Sequence, residues 1–198
     1  MKYVAPVIAG LAVAFVVSFG LGLLGSAAEA KGGGGLGLAT WLPGVILGAF
    51  TAYILANLAG NRRVAAASEA DRSGALSFSA PSDQARLYVV REGFVGKAAG
   101  MDVWVDGEHV TQLKAPRFAS LLLPPGRHAV TAAFGGLAGA QNNPAEHVLS
   151  LAPGEAAAVR VGVSMGAMTN SLTLQRVQLD EPLQRKLRGM KMVAAETA

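Results

Sequence analysis

Apolar positions follow two different patterns along this chain. No charged residue stands between Lys2 and Glu29, and none stands from Leu36 to Gly60. From residue 85 onward, apolar residues come instead in short alternating runs separated by turn signals. The first pattern predicts helices over residues ~3–24 and ~36–60. At about 1.5 Å per residue they reach roughly 33–37 Å, enough to cross a ~30 Å hydrocarbon core. Gly25–Gly35 between them is short and glycine-rich, so residues 1–60 are expected to form an antiparallel transmembrane hairpin.

The second pattern predicts strands. Val159, Val161 and Val163 alternate with Ala158, Arg160 and Gly162, and Val103 and Val105 flank Trp104 in the same way. Strands are expected at 85–91, 101–106, 109–114, 117–123, 127–134, 146–151, 156–163 and 171–179. Asp106-Gly107 is a hairpin signal, and Pro124-Pro125-Gly126 and Pro153-Gly154 mark further turns. No helical run intervenes, which predicts an all-β antiparallel sandwich over residues 85–180. Residues 61–84, rich in Ala, Ser and charge, are expected to be a linker, with room for the second helix to continue to about Ala70.

Charge gives the expected orientation. Lys2 precedes the first span, and Arg62, Arg63 and Arg72 follow the second, whereas the connection has Lys31 beside Glu29. Both termini therefore prefer the cytoplasm. Tyr3 and Trp41 suit interfacial aromatic anchors. A rival reading takes Ala28-Glu29-Ala30 as a signal-peptide cleavage site, but the apolar stretch exceeds the usual 7–15 residues. Even then the second span would stop transfer and leave residues 61–198 in the cytoplasm.

Small residues recur every four positions within the spans, at Gly10, Ala14, Ser18 and Gly22 and at Gly44, Gly48, Ala52, Ala56 and Gly60. Each row is a smooth stripe, of the glycine-zipper kind, on which another backbone can approach closely, within the hairpin or between copies of the chain. Neither span carries an ionisable acid or base, which argues against ion or proton transport.

Composition narrows the function classes. Hydrophobic residues are 52% of the 198 and charged residues 15%, which excludes an intrinsically disordered chain. Cys is absent, and with it disulfides, thiolate metal sites, cysteine nucleophiles and lipid attachment through Cys. Setting aside Lys2, Lys31 and Glu29 leaves residues 61–198 with 15 basic and 12 acidic residues. That excess is small and not interleaved with aromatics, so nucleic-acid binding is not expected.

His109, His128 and His147 fall on separate predicted strands without metal-ligand spacing, and His128 is expected to bond the backbone of its own turn. Gly32–Gly35 lacks the Lys and Ser/Thr of a phosphate loop. No nucleophile motif is present, so no enzyme, catalytic residue, metal or cofactor is expected. Residues 181–198 carry one further idea. Leu183, Leu187, Met190 and Ala194 recur at helical spacing, while Arg185, Lys186, Arg188 and Lys191 fall mostly on other faces. Such a basic amphipathic helix can lie on anionic membrane lipids. Its alternatives are a solvated tail or a helix packed on the sandwich.

Tyr88-Val-Val-Arg91, Val105-Asp-Gly107, Leu113-Lys114, Phe118, Leu123-Pro-Pro-Gly-Arg-His128 and Leu151-Ala-Pro-Gly-Glu155 follow one another over residues ~85–180. In this order they resemble a bacterial family of small β-sandwich domains of unknown function, common on lipoproteins and similar to PEGA and transthyretin-like sandwiches. The resemblance implies a sandwich fold and a non-catalytic binding or scaffolding role. This chain departs from the lipoprotein members in lacking the lipid-bearing Cys and in carrying a helical hairpin. The expectation is a multi-pass protein of the bacterial inner membrane that binds or scaffolds a protein partner, with homo-oligomers open to it. Two alternatives stand beside it: an envelope-facing glycan-binding module of inverted topology, and a small pore or transport accessory.

Overall fold

The computed structural model describes residues 3–29, 41–94, 96–135, 139, 143–165 and 170–196. The chain divides into two compact units, Met1–Gly60 and Asn61–Ala198.

The first unit holds helices α1 (Val4–Glu29) and α2 (Leu42–Leu58). α1 continues past Leu24, so its last turn occupies the start of what the sequence suggested was a loop. By length and composition α1 can cross a membrane, with Val4–Ala27 its apolar stretch. α2 is equally apolar but shorter than expected, 17 residues in place of a span from 36 to 60. Leu36–Thr40 lie outside the described residues.

The helices pack on their small residues. A Cβ added at Gly48 would stand 2.5 Å from Gly10 O and 2.6 Å from Ala14 Cβ, and one at Gly10 would stand 2.6 Å from Ala52 Cβ. A Cβ on Gly44 would strike Ser18 Oγ. Ser18 Oγ itself donates to Trp41 O at 3.3 Å. Partners thus run from Ala52 to Trp41 as α1 runs from Gly10 to Ser18, which makes the pair antiparallel. Large side chains point away from this seam: Leu11, Phe15 and Phe19 on α1, and Ile46, Phe50 and Ile54 on α2, are exposed.

The second unit is mostly β. Its strands are β1 (Ala85–Arg91), β2 (Met101–Val105), β3 (Glu108–Leu113), β4 (Arg117–Leu123), β5 (Gly126–Phe134), β6 (Ala145–Leu151), β7 (Ala156–Met165), β8 (Asn170–Val177) and β9 (Lys191–Met192). They form two sheets, ordered β8-β7-β1-β4-β9 and β3-β2-β5-β6. Leu87, Val89, Val159 and Val161 of the first sheet share a core with Met101, Val103, Val130 and Leu149 of the second.

The expectation of a purely antiparallel sandwich is corrected here. β1 pairs parallel with β7, and β4 parallel with β9, so the larger sheet is mixed. Hairpin turns dictate antiparallel neighbours, but β1 and β7 are joined through the whole second sheet, and no local signal sets their direction.

The larger sheet is also covered on its outer side. Helices α3 (Glu69–Ala75) and α4 (Glu181–Gly189) flank it, and Ala75, Leu183 and Leu187 join Tyr88, Val90, Phe118 and Ala158 in a second core. This explains why β1 is buried along almost its whole length instead of alternating. Residues 61–84, read as a linker, are built into the unit. Ser68 caps α3 by accepting from Asp71 N at 3.0 Å. Tyr88 Oη donates to Ala75 O at 2.5 Å, and burial pushes the phenol up to about 12, opposed by nearby Arg86. α2 ends at Leu58 and does not continue to Ala70.

Candidate interaction surface

The sheet edges decide where this unit can meet something else. β4 is fully paired with β1, from Ala85↔Leu123 to Arg91↔Arg117. On its other side β9 covers Arg117 and Phe118 alone. Val193 N donates to Phe118 O at 2.9 Å, and there the chain turns away: Ala194 N donates to Ala65 O, and Glu196 N to Val110 O. Backbone groups of an antiparallel strand point alternately to either side. Those of Ser120 and Leu122 therefore point the same way as Phe118 O, outward, and among the described residues they have no backbone partner there.

This open edge borders a groove of about 720 Å³. Ser120–Pro124 line it together with α3, the β2–β3 turn, Met192 and Ala194–Glu196. Leu122 is 46% exposed, and Arg86 fixes the neighbouring surface by donating from Nη1 to Ser120 Oγ at 3.3 Å and from Nε to Ser79 O at 2.7 Å. Asp71, Glu108 and Glu196 give the groove wall acidic groups. Unpaired N–H and C=O groups beside an apolar side chain are what an added strand requires.

One end of the groove is a knot of two turns. Asp106 and Gly107 between β2 and β3 both take positive φ, 53° and 86°, as a tight hairpin turn needs. The Asp106 carboxylate accepts from His128 Nδ1 at 2.7 Å and from Ala129 N at 2.9 Å. His128 Nε2 lies 2.8 Å from Pro124 O. Both ring nitrogens face acceptors, so each must carry a proton to be satisfied, and the imidazolium is the fitting form. Burial works against that charge, but the bonds to Asp106 and Pro124 O and the charge of Asp106 outweigh it and raise the His128 pKa. For Asp106, burial raises and the bonds from His128 and Ala129 N, with the His128 charge, lower; the net direction is down. The expected backbone bond of His128 is present, whereas its carboxylate partner, 22 residues away, left no local signal.

Several residues singled out by sequence lie elsewhere. Gly10, Ala14, Ser18, Gly44, Gly48 and Ala52 come together between α1 and α2, and Ala56 is buried on α2. Gly22 has no neighbour within 4 Å of an added Cβ, and Gly60 lies beyond the end of α2. The small faces of Gly10, Gly44 and Gly48 are filled within one chain.

The membrane-surface reading of the C-terminal segment needs correcting. Leu183, Leu187 and Met190 are 5%, 0% and 7% exposed, packed on the outer face of the larger sheet. Asp180 caps α4 by accepting from Leu183 N at 3.0 Å, and Arg72 closes its other end by donating to Arg188 O and Met190 O. Of the basic residues, Arg185 pairs with Glu181, Lys186 pairs with Glu92, and Arg188 lies 4.8 Å over the Phe78 ring. Lys191 is exposed at the start of β9. Ala194 follows the helix and lies in an extended segment, bonded to Ala65 O.

The three histidines are not brought together. His109 bonds Asp102 Oδ1 at 3.1 Å on β2, His128 closes the turn knot, and His147 lies on β6 opposite Val130. No cluster of three metal-ligating side chains occurs among the described residues. Ser120 and Leu122 were missed as site residues because openness of an edge depends on where β9 stops, and two residues of strand leave no periodicity to read. Compared with models of known families and with curated proteins, the chain matches none.

Proposed function

We propose that this chain is a non-enzymatic protein of the bacterial inner membrane, held there by α1 and α2 with both termini on the cytoplasmic side. Its β unit binds an extended segment of a partner protein by adding it as a strand to β4. The open edge at Ser120 and Leu122, bordered by the groove, carries this reading. Backbone pairing would supply affinity and Leu122 an apolar contact, with the acidic wall favouring a basic segment. The membrane part draws support from the length and apolarity of α1 and from large apolar side chains exposed on both helices. The resemblance to small β-sandwich domains agrees with a binding role.

A photo-crosslinking amino acid at Leu122, expressed in cells, tests the edge. A discrete adduct is expected there and not at Glu146 on the opposite sheet, and it should disappear when Leu122 carries the crosslinker and Ser120 is replaced by Pro. Ser120→Pro removes an outward N–H and is tolerated best on an edge strand. Equal crosslinking at both positions would refute the reading.

A further inference from the structure

Phe94 stands 87% exposed in the loop from β1 to β2, the most exposed large apolar side chain among the described residues. This loop is held firmly at its base. Arg91, fully buried, donates from Nη2 to Gly96 O at 2.6 Å and from Nη1 to Ala99 O at 2.6 Å and Leu113 O at 2.5 Å. Bonded to these carbonyls, the buried guanidinium holds Gly96 and Ala99 close to the end of β1.

The same loop adjoins the point where the chain leaves its apolar helices. Asn61 Nδ2 donates to Ala98 O at 2.9 Å, and Arg62 N donates to Gln112 Oε1 at 2.6 Å. Covalent continuity puts Asn61 three residues after Leu58, the end of α2. Cations gather at this end: Arg62, Arg63 and Lys97 are exposed. Glu92, the acid of the loop, is paired with Arg160 and Lys186, and Arg62 lies 3.8 Å from Asp102. Lys97 and Arg63 have no acidic partner among the described residues.

From this juxtaposition we infer that the β1–β2 loop is a membrane-interface anchor: Phe94 enters the headgroup region while Lys97 and Arg63 meet anionic lipid phosphates. An aromatic ring with flanking cations, tethered three residues from an apolar helix, has the chemistry of a bilayer interface. The inference rests on the membrane reading of α1 and α2. It also gives the β unit a second hold on the membrane, at the end where Asn61 lies.

The test uses the full chain in phosphatidylcholine–phosphatidylglycerol vesicles. Trp41 and Trp104 are replaced by Phe, and one Trp is introduced by Phe94→Trp or, separately, by Val148→Trp, an exposed apolar position on the other sheet. Phe94→Trp should show blue-shifted emission and lose intensity when the acyl chains are brominated, and Lys97→Glu with Arg63→Glu should reverse part of that loss. Val148→Trp should remain unquenched. A retained chain whose Trp at 94 is quenched by aqueous iodide and not by brominated lipid overturns this inference alone, as does equal lipid quenching at both positions. Release of the whole chain from vesicles by carbonate overturns the membrane reading and this inference with it.

Discussion

The helical hairpin and the C-terminal helix α4 use apolar side chains in opposite ways. On α1 and α2 the small residues form the seam and Leu11, Phe15, Ile46 and Phe50 face out. On α4 the large residues Leu183 and Leu187 form the seam and Arg185 faces out. The difference matches the two surroundings proposed for them, lipid and water. A helix apolar all round with a small-residue contact suits lipid, where bulky groups lose nothing by exposure. An amphipathic helix of nine residues suits the surface of a water-soluble core, and its charges need not signal a membrane.

The contrast is sharpest at Leu187, which is fully buried in the second core. Leu187→Ala should destabilise the β unit by about 2–5 kcal/mol, read by denaturation of the Trp41→Phe chain with Trp104 as reporter. A change near zero would mean that α4 does not pack there. Gly48→Leu attacks the other seam. Its added atoms meet Gly10 O and Ala14 Cβ, so the helices must separate at a cost of about 1–3 kcal/mol. Engineered cysteines at Ala14 and Ala52 should then crosslink poorly, whereas Gly22→Leu, with open space around it, should leave crosslinking unchanged.

Protons distinguish the regions as well, because the described part of the hairpin seam carries no acid or base. In the β unit, His128 has a folded pKa above its ordinary 6.5, so its contribution is complete below that value and declines as pH rises through the raised one. Asp106 has a folded pKa below its ordinary 3.8, so its contribution is present above that value and declines as pH falls through the lowered one. Denaturation of the β unit should therefore show a plateau between these limits. Asp106→Asn should cost about 1–3 kcal/mol on the plateau and flatten the alkaline decline. The smallest effect belongs to Arg185→Ala: its pair with Glu181 is exposed, and stability should change by no more than about 0.5 kcal/mol.

Much of this organisation was legible in the chain. The absence of charge between Lys2 and Glu29 marked α1, and alternation with turn residues placed β1 to β8 within a few residues of their bounds. Asp106-Gly107 gave the turn between β2 and β3 because φ > 0 at both positions restricts residue choice. What was not legible depends on distant partners. Seven residues of α3 are too few for a helical period, and their place is fixed by Tyr88 and by Arg72 reaching to α4. The C-terminal segment offered a sound amphipathic pattern, but a pattern shows which face is apolar and not what covers it. The open edge was least legible of all: Ser120 and Leu122 resemble any other strand residues, and their availability is set by the departure of the chain after Met192.

Residue-by-residue amide hydrogen exchange along β4 in the full chain tests that open edge most directly. Exchange should alternate: slow at Ala119, Leu121 and Leu123, which pair with β1, and fast at Ser120 and Leu122, which face the groove. Uniform protection from Phe118 to Leu123 would show that the edge is already covered and would contradict the strand-addition site.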